Sequence, residues 1–311
     1  MNSNIKKIIK SVLGIAIILG IAYFLTKVIV VNWSSLKQSY LELNYWLLLL
    51  SLLPLALSFY LGISAWRYIL KCLGCEIKWT KAFWTVSGSH LAKFIPGHVL
   101  ALGGRIWLCS REKIPESVSA AGIIIEMIVQ LAASIFVFSL SLSYYNTHLS
   151  PTIFLASGLL FISLMGIVHP KILPRVWKYV PKMGKVVKTD ISYRYQSIIS
   201  LLVIYIIAWI LQGISVFILI KSLYPGIGTS GLMPAIGAYG GAYALGFVSI
   251  VTPGGLGVRE GILSFLLKFY IPAPVAVIVA VLSRLCFTLF DVLMTLFSLK
   301  FKNLEVKLEE G

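Results

Sequence analysis

Charge is what this sequence has least of. Only 12% of its 311 residues are Asp, Glu, Lys or Arg, about half the share with which a water-facing domain covers its surface. Mean hydropathy is +0.92. That shortage excludes a soluble enzyme, a nucleic-acid module and a disordered chain, even though the formal net charge is +16 and the pI near 9.7. Cysteine is scarce too. The four that occur (Cys72, Cys75, Cys109 and Cys286) follow no disulfide framework. Cys72 and Cys75 form a lone C-x-x-C without the second pair that a tetrahedral zinc site needs, so no metal is expected. There is no G-x-x-x-x-G-K-[ST] phosphate loop, no H-E-x-x-H helix and no G-x-S-x-G elbow. ATP-driven pumping by this chain alone is thereby excluded, and no cofactor is called for. What remains is a polytopic membrane protein, read as one integral membrane domain over 1–311.

Long apolar runs dominate. A spanning helix needs roughly 20 apolar residues for a hydrocarbon core about 30 Å thick. Full-length candidates are 8–31, 44–70, 117–144, 151–169, 197–221 and 273–299. The first follows a basic start like a signal peptide's, but it is too long for a cleaved segment and has no small-x-small site. It is expected to stay as an anchor helix. Two more regions, 82–109 and 231–271, are apolar but interrupted, by Ile95-Pro96-Gly97-His98 and by Thr252-Pro253-Gly254-Gly255-Leu256-Gly257. Proline removes a donor and glycine permits left-handed backbone, so each string ends one helix and lets another begin. The expected fold is all-α, with about six full spans plus two Pro/Gly-broken, re-entrant hairpins. In the second region, 231–252 is long enough to cross, which leaves re-entry or full crossing open there. Pro96, Gly97, Pro253, Gly254, Gly255 and Gly257 are the candidate hinges.

Basic residues set the direction. With the N-terminus inside, 20 lysines and arginines fall on inner segments and four on outer ones, Lys27, Lys37, Lys221 and Lys268. Both termini are therefore expected to be cytoplasmic. The densest inner segment is the 170–196 loop, and the positive-inside bias accounts for most of the +16. Recruitment of anionic lipid by that loop is compatible with it.

The order span, broken hairpin, span occurs twice, over 44–144 and over 197–299, with 151–169 as a linking span. The two copies start in opposite directions across the bilayer. That is the pattern of an inverted repeat, whose binding site is expected where broken helices meet near mid-membrane.

Polar groups stand where they cost energy. Gly122, Glu126, Gln130, Ser134 and Ser141 share one face of the third full span, and Arg284, Thr288, Asp291, Thr295 and Ser298 share one face of the last. A charge at mid-bilayer costs at least about 2.5–3.5 kcal/mol on insertion scales, so these stripes should face each other, the hairpins or a water-filled cavity. Arg105 lies beyond the first break, and Arg259 and Glu260 directly follow Gly257. Three readings stay open: ion pairs that hold the bundle together, a polar groove for a lipid headgroup, and proton coupling through Glu126 or Asp291. In the groove reading Arg105, Glu126, Gln130, Arg259, Glu260, Arg284 and Asp291 bind substrate and no residue is catalytic. His90 and His98 flank the first break, where an interfacial hydrogen-bonding role is the ordinary expectation. Trp33, Trp46, Trp66, Trp79 and Trp177 sit mostly near span ends, as in an interfacial aromatic belt.

Ser89-His90-Leu91-Ala92-Lys93-Phe94-Ile95-Pro96-Gly97 with Gly104-Arg105, and Thr252-Pro253-Gly254-Gly255-Leu256-Gly257-Val258-Arg259-Glu260, resemble the two signatures of the lysylphosphatidylglycerol synthase transmembrane-region family, also called flippase-like or UPF0104. Glu126 after Ala120-Ala121 is similar to the family pattern as well. The resemblance covers nearly the whole chain. It implies an integral protein of a prokaryotic cytoplasmic membrane that moves a lipid with a polar headgroup between leaflets: anionic, aminoacylated, glyco- or polyprenyl-linked. The acyltransferase domain of fused relatives is expected to be absent, so the chain is read as a lipid transporter and not an enzyme. The alternative is an accessory subunit or transferase module that presents lipid to a partner lipid-modifying enzyme.

Overall fold

The computed structural model describes residues 43–92, 98–145, 151–177, 193–248 and 257–309. The expected anchor helix 8–31, most of the basic loop and five hinge candidates (Pro96, Gly97, Pro253, Gly254 and Gly255) lie outside them. The described residues form ten α-helices: α1 Tyr45–Cys72, α2 Trp79–Ala92, α3 His98–Arg111, α4 Glu116–Ser141, α5 Pro151–Ile167, α6 Leu173–Trp177, α7 Tyr195–Leu223, α8 Leu232–Val248, α9 Val258–Leu267 and α10 Ala273–Glu309. Short 3-10 turns over Leu142–Tyr145 and Thr229–Gly231 extend α4 and precede α8.

Among the described residues four helices are long and apolar enough to cross a membrane: α1, α4 with its 3-10 turn, α7, and α10 over Ala273–Leu299. At 1.5 Å per residue, the 17 residues of α5 reach only about 25 Å, and α2 and α3, with 14 residues each, about 21 Å. The 17 residues of α8 are likewise short of a full crossing, and the ten of α9 reach about 15 Å. One element was not expected. The five-residue α6 opens the 170–196 segment, and Tyr193 Oη, which donates to the Val168 carbonyl at 2.7 Å, ties that segment's far end back to the bundle.

Outward faces are apolar. Leu53 and Leu57 on α1, Leu155 and Leu159 on α5, Val203 and Ile207 on α7, and Leu293 and Leu296 on α10 are all exposed. Such strips would be a liability in water and are the surface a bilayer solvates. Their backs meet in one continuous core that includes Ile63, Trp66 and Leu70 of α1, Val129 and Ala133 of α4, Val216 and Ile220 of α7, and Val279 and Ala280 of α10.

Small residues bring the backbones together. On α8, a Cβ at Gly240 would come within 2.9 Å of the Ser134 carbonyl oxygen, and one at Gly237 would overlap the Ser141 side chain. On α7, a Cβ at Gly213 would stand 2.4 Å from the Ile236 Cα. Helix association within lipid relies on this kind of close contact because lipid tails are as apolar as leucine.

The packing partners form matched sets. α1 lies along α7; α4 meets α8 as α10 meets α2; α2 and α3 touch as α8 and α9 do; α3 meets α4 as α9 meets α10; and α4 meets α7 as α10 meets α1. Exchanging α1–α4 for α7–α10 thus leaves this pattern of neighbours unchanged.

Candidate functional site: a charged cavity between the two helix sets

The exchange pattern brings the inner faces of α1, α2, α4, α7, α8, α9 and α10 around one cavity of about 340 Å³. Glu126, Gln130, Arg259, Glu260, Arg284 and Asp291 all stand on its wall, and so does His90. These side chains come from four helices, α2, α4, α9 and α10, and lie up to 201 positions apart in the chain. Glu126, Glu260 and Asp291 are each under a tenth exposed.

Each charge has a defined environment. Arg105 donates through Nη1 to Glu126 Oε2, and its guanidinium carbon lies over the Trp66 ring, 3.7 Å from the ring centre. Arg105 is therefore not on the cavity wall. It stands behind Glu126 as its counter-charge. Trp66, expected in an interfacial belt, is fully buried beneath it. The other oxygen of Glu126 accepts from Tyr205 Oη at 2.9 Å, so α7 and α3 both fix the carboxylate on α4.

The Gly-x-Arg-Glu string has a physical reading at each position. Gly257 takes φ +84 to turn the chain into α9, a conformation that side chains with a Cβ adopt at a cost. Glu260, in the first turn, reaches back to accept the Gly257 N–H at 2.7 Å, the carboxylate half of a capping box. Its other oxygen faces Arg284 Nε of α10 at 3.5 Å. Glu260 thus starts one helix and holds the next. Arg259 points elsewhere, over the rings of Tyr239 and Tyr243 at 4.7 and 5.3 Å. Among the described residues no carboxylate lies within ion-pair distance of it. Gly246 on α8 leaves the room for this, since a Cβ there would crowd the Arg259 Cβ at 3.2 Å.

Across the cavity His90 Nδ1 lies 2.8 Å from Asp291 Oδ1, with the imidazole edge-on to Phe59. Gln130 accepts from Tyr243 Oη at 3.2 Å through its side chain, and from Trp209 Nε1 at 3.1 Å through its carbonyl.

The polar stripes therefore divide. Glu126 and Gln130 face the cavity, whereas Ser134 and Ser141 face the α8 glycines and return their hydroxyls to carbonyls of α4. On α10, Arg284, Thr288 and Asp291 face the cavity, whereas Thr295 donates toward the Ser87 carbonyl of α2 and Ser298 toward the Thr295 carbonyl. Tyr205, Tyr239, Tyr243 and Trp209 belong to the site without having been singled out. The one sequence signal for the first three is a hydroxyl-bearing ring in the middle of an apolar run.

A buried, mixed-charge cavity inside a bundle whose outer faces are apolar is the architecture of a membrane protein with a polar interior. The chain belongs to the lysylphosphatidylglycerol synthase transmembrane-region family, whose sequence model matches residues 11–294. A comparison with curated proteins gives no match. The family indicates a membrane protein concerned with lipid handling.

Proposed function

We propose that this protein is a lipid translocase of a prokaryotic cytoplasmic membrane, with both termini cytoplasmic, and that the cavity carries the lipid's phosphate-bearing headgroup while the acyl chains stay in the bilayer. The two matched helix sets act as the halves of an inverted repeat, and the Pro/Gly breaks serve as its hinges. The observation that carries this reading is Arg259. Arg284 and Arg105 have carboxylate partners, whereas Arg259 sits on the cavity wall between two tyrosine rings without one among the described residues. A guanidinium kept at membrane depth without a counter-ion is costly, and a phosphate from the ligand supplies one in bidentate geometry.

The remaining chemistry fits the same role. Moving a headgroup through hydrocarbon is expensive because its hydrogen bonds to water are lost. Glu126, Gln130, Asp291 and the tyrosine hydroxyls offer replacements along the wall. A cavity of about 340 Å³ lies at the small end of the range of ligand pockets, about 300–1,000 Å³, which suits a headgroup and not a whole lipid. Transport without covalent chemistry is favoured by the wall's serines: Ser58 and Ser283 donate their hydroxyls to carbonyls of their own helices, at 2.7 and 2.9 Å.

The test is reconstitution. Purified protein in liposomes is expected to speed transbilayer movement of a labelled anionic phospholipid, and Arg259→Gln is expected to remove most of that gain while the protein stays folded. No acceleration with any lipid class would overturn translocation and leave the lipid-presenting accessory role.

A further inference from the structure

We propose that the outer face of α1 carries a second lipid site, distinct from the central cavity, which holds an anionic phospholipid of the surrounding bilayer by its phosphate. Trp46, Leu50, Leu53, Leu57 and Tyr60 follow one another at spacings of four, three, four and three, so they form one straight stripe. Each is at least 48% exposed. The same spacing continues through Ser64, Arg67 and Lys71, and the stripe changes there from apolar to basic. A second cavity, also of about 340 Å³, opens at that change, between this end of α1 and the start of α2. The central cavity uses other α1 residues, Leu55, Ser58, Phe59 and Gly62, so the helix itself separates the two sites.

The dimensions match a membrane lipid. The 28 residues of α1 span about 42 Å, longer than the roughly 30 Å hydrocarbon core, so the terminal turns with Arg67 and Lys71 reach the headgroup layer. From Trp46 to Tyr60 the apolar stripe runs about 21 Å, more than one leaflet's share of that core.

The polar end is built and not merely basic. Arg67 Nε donates to the Ile77 carbonyl at 3.0 Å, which fixes the guanidinium at the mouth of the cavity and leaves both Nη groups without a protein partner among the described residues. Trp79, stacked on Phe83 and tilted against Tyr60, forms the aromatic wall, and its buried indole N–H has no acceptor among the described residues. Lys71 is held by Glu76 at 2.9 Å in an exposed pair that an incoming phosphate can replace. The apolar stripe leading into the basic end selects a lipid over a free phosphate.

The experiment uses the full chain in nanodiscs of phosphatidylcholine containing a trace of photoactivatable phosphatidylglycerol or photoactivatable phosphatidylcholine. Cross-links are mapped by peptide. Labelling of the 60–79 segment is expected with phosphatidylglycerol and several-fold less with phosphatidylcholine. The double variant Arg67→Gln, Lys71→Gln should lower it by about fivefold per charge removed, and Glu76→Gln, which frees Lys71, should raise it. Equal labelling by the two lipids, or labelling indifferent to both variants, would overturn the site. Full competition by millimolar glycerol 3-phosphate would instead assign it to a soluble phosphate and overturn the lipid. If the double variant does not fold, the rise in Glu76→Gln alone decides. Arg259→Gln should leave this labelling unchanged, so the peripheral site and the translocation pathway stand or fall separately.

Discussion

His90 and Asp291 stand 201 positions apart in the chain and 2.8 Å apart in space. Their contact joins α2 to α10, and its counterpart under exchange of the two helix sets joins α8 to α4, where Tyr243 meets Gln130 at 3.2 Å. The ion pairs exchange in the same way. Arg105 of α3 faces Glu126 of α4, and Glu260 of α9 faces Arg284 of α10, with the signs reversed. Four polar contacts thus occupy two matched positions with different chemistry at each. His90–Asp291 differs from the two arginine pairs in crossing from one helix set to the other, which makes it the charged contact best placed to register their relative position.

Coupling between His90 and Asp291 is therefore expected to be strong. His90→Gln and Asp291→Asn should each lower thermal stability in detergent, and the double variant should lose clearly less than the two losses added. For residues in direct contact the coupling term is about 0.5–3 kcal/mol. Additive losses in a double-mutant cycle would show that the contact does not hold the two sets together.

Glu126 should be among the least replaceable residues. It is 6% exposed and takes an arginine on one oxygen and Tyr205 on the other. Glu126→Gln leaves Arg105 buried without its counter-charge, and breaking a buried pair on one side costs about 3–5 kcal/mol. Tyr205→Phe removes only a hydroxyl donor and should cost less, about 1–3 kcal/mol. Arg105→Met with Glu126→Met should recover much of the stability lost in Glu126→Gln. Unfolding midpoints of the four proteins check the order.

What the sequence reveals of this site follows from cost. Glu126, Arg284 and Asp291 stand out because a charge inside an apolar run demands a reason, and so do Arg259 and Glu260 beside a glycine turn. The tyrosines and Trp66 do not stand out, since an aromatic ring in a membrane helix has many ordinary explanations. Ser134 and Ser141 show the limit of spacing arguments. Each step of four residues overshoots a full turn by about 40°, so Ser134 lies about 80° around α4 from Glu126 and meets the α8 glycines instead of the cavity. Thr295 lies only about 40° around from Asp291, but one turn further along α10 the neighbour is the α2 backbone. Which element stands opposite a face is tertiary information that periodicity within one helix does not contain.

The glycine contacts between α4 and α8 give a third expectation. A methyl group at Gly237 would stand 2.2 Å from Ser141 Cβ, and one at Gly240 would meet backbone. Gly237→Ala should therefore destabilise by about 1–3 kcal/mol, the usual cost of overpacking. Shortening Ser141 only to alanine keeps the offending Cβ. Gly237→Ala with Ser141→Gly should restore stability where Gly237→Ala with Ser141→Ala does not, and thermal unfolding of the three distinguishes them.

Glu260 performs two tasks with two oxygens, and substitution can separate them. Glutamine keeps a carbonyl oxygen that can accept the Gly257 N–H, but it loses the charge that faces Arg284. Alanine loses both. Glu260→Ala should therefore fray the start of α9, seen as faster backbone hydrogen exchange at Val258–Leu267, whereas Glu260→Gln should leave that exchange slow and still impair transport through the altered Arg284. Gly257→Ala isolates the turn itself. Nothing lies within 4 Å of a Cβ there, so its cost is conformational, about 1–3 kcal/mol for a strained backbone, and it should speed exchange in α9 as Glu260→Ala does. Fast exchange in α9 of Glu260→Gln would show that the cap needs the full carboxylate, and unimpaired transport in the same variant would show that Arg284 does not need its partner.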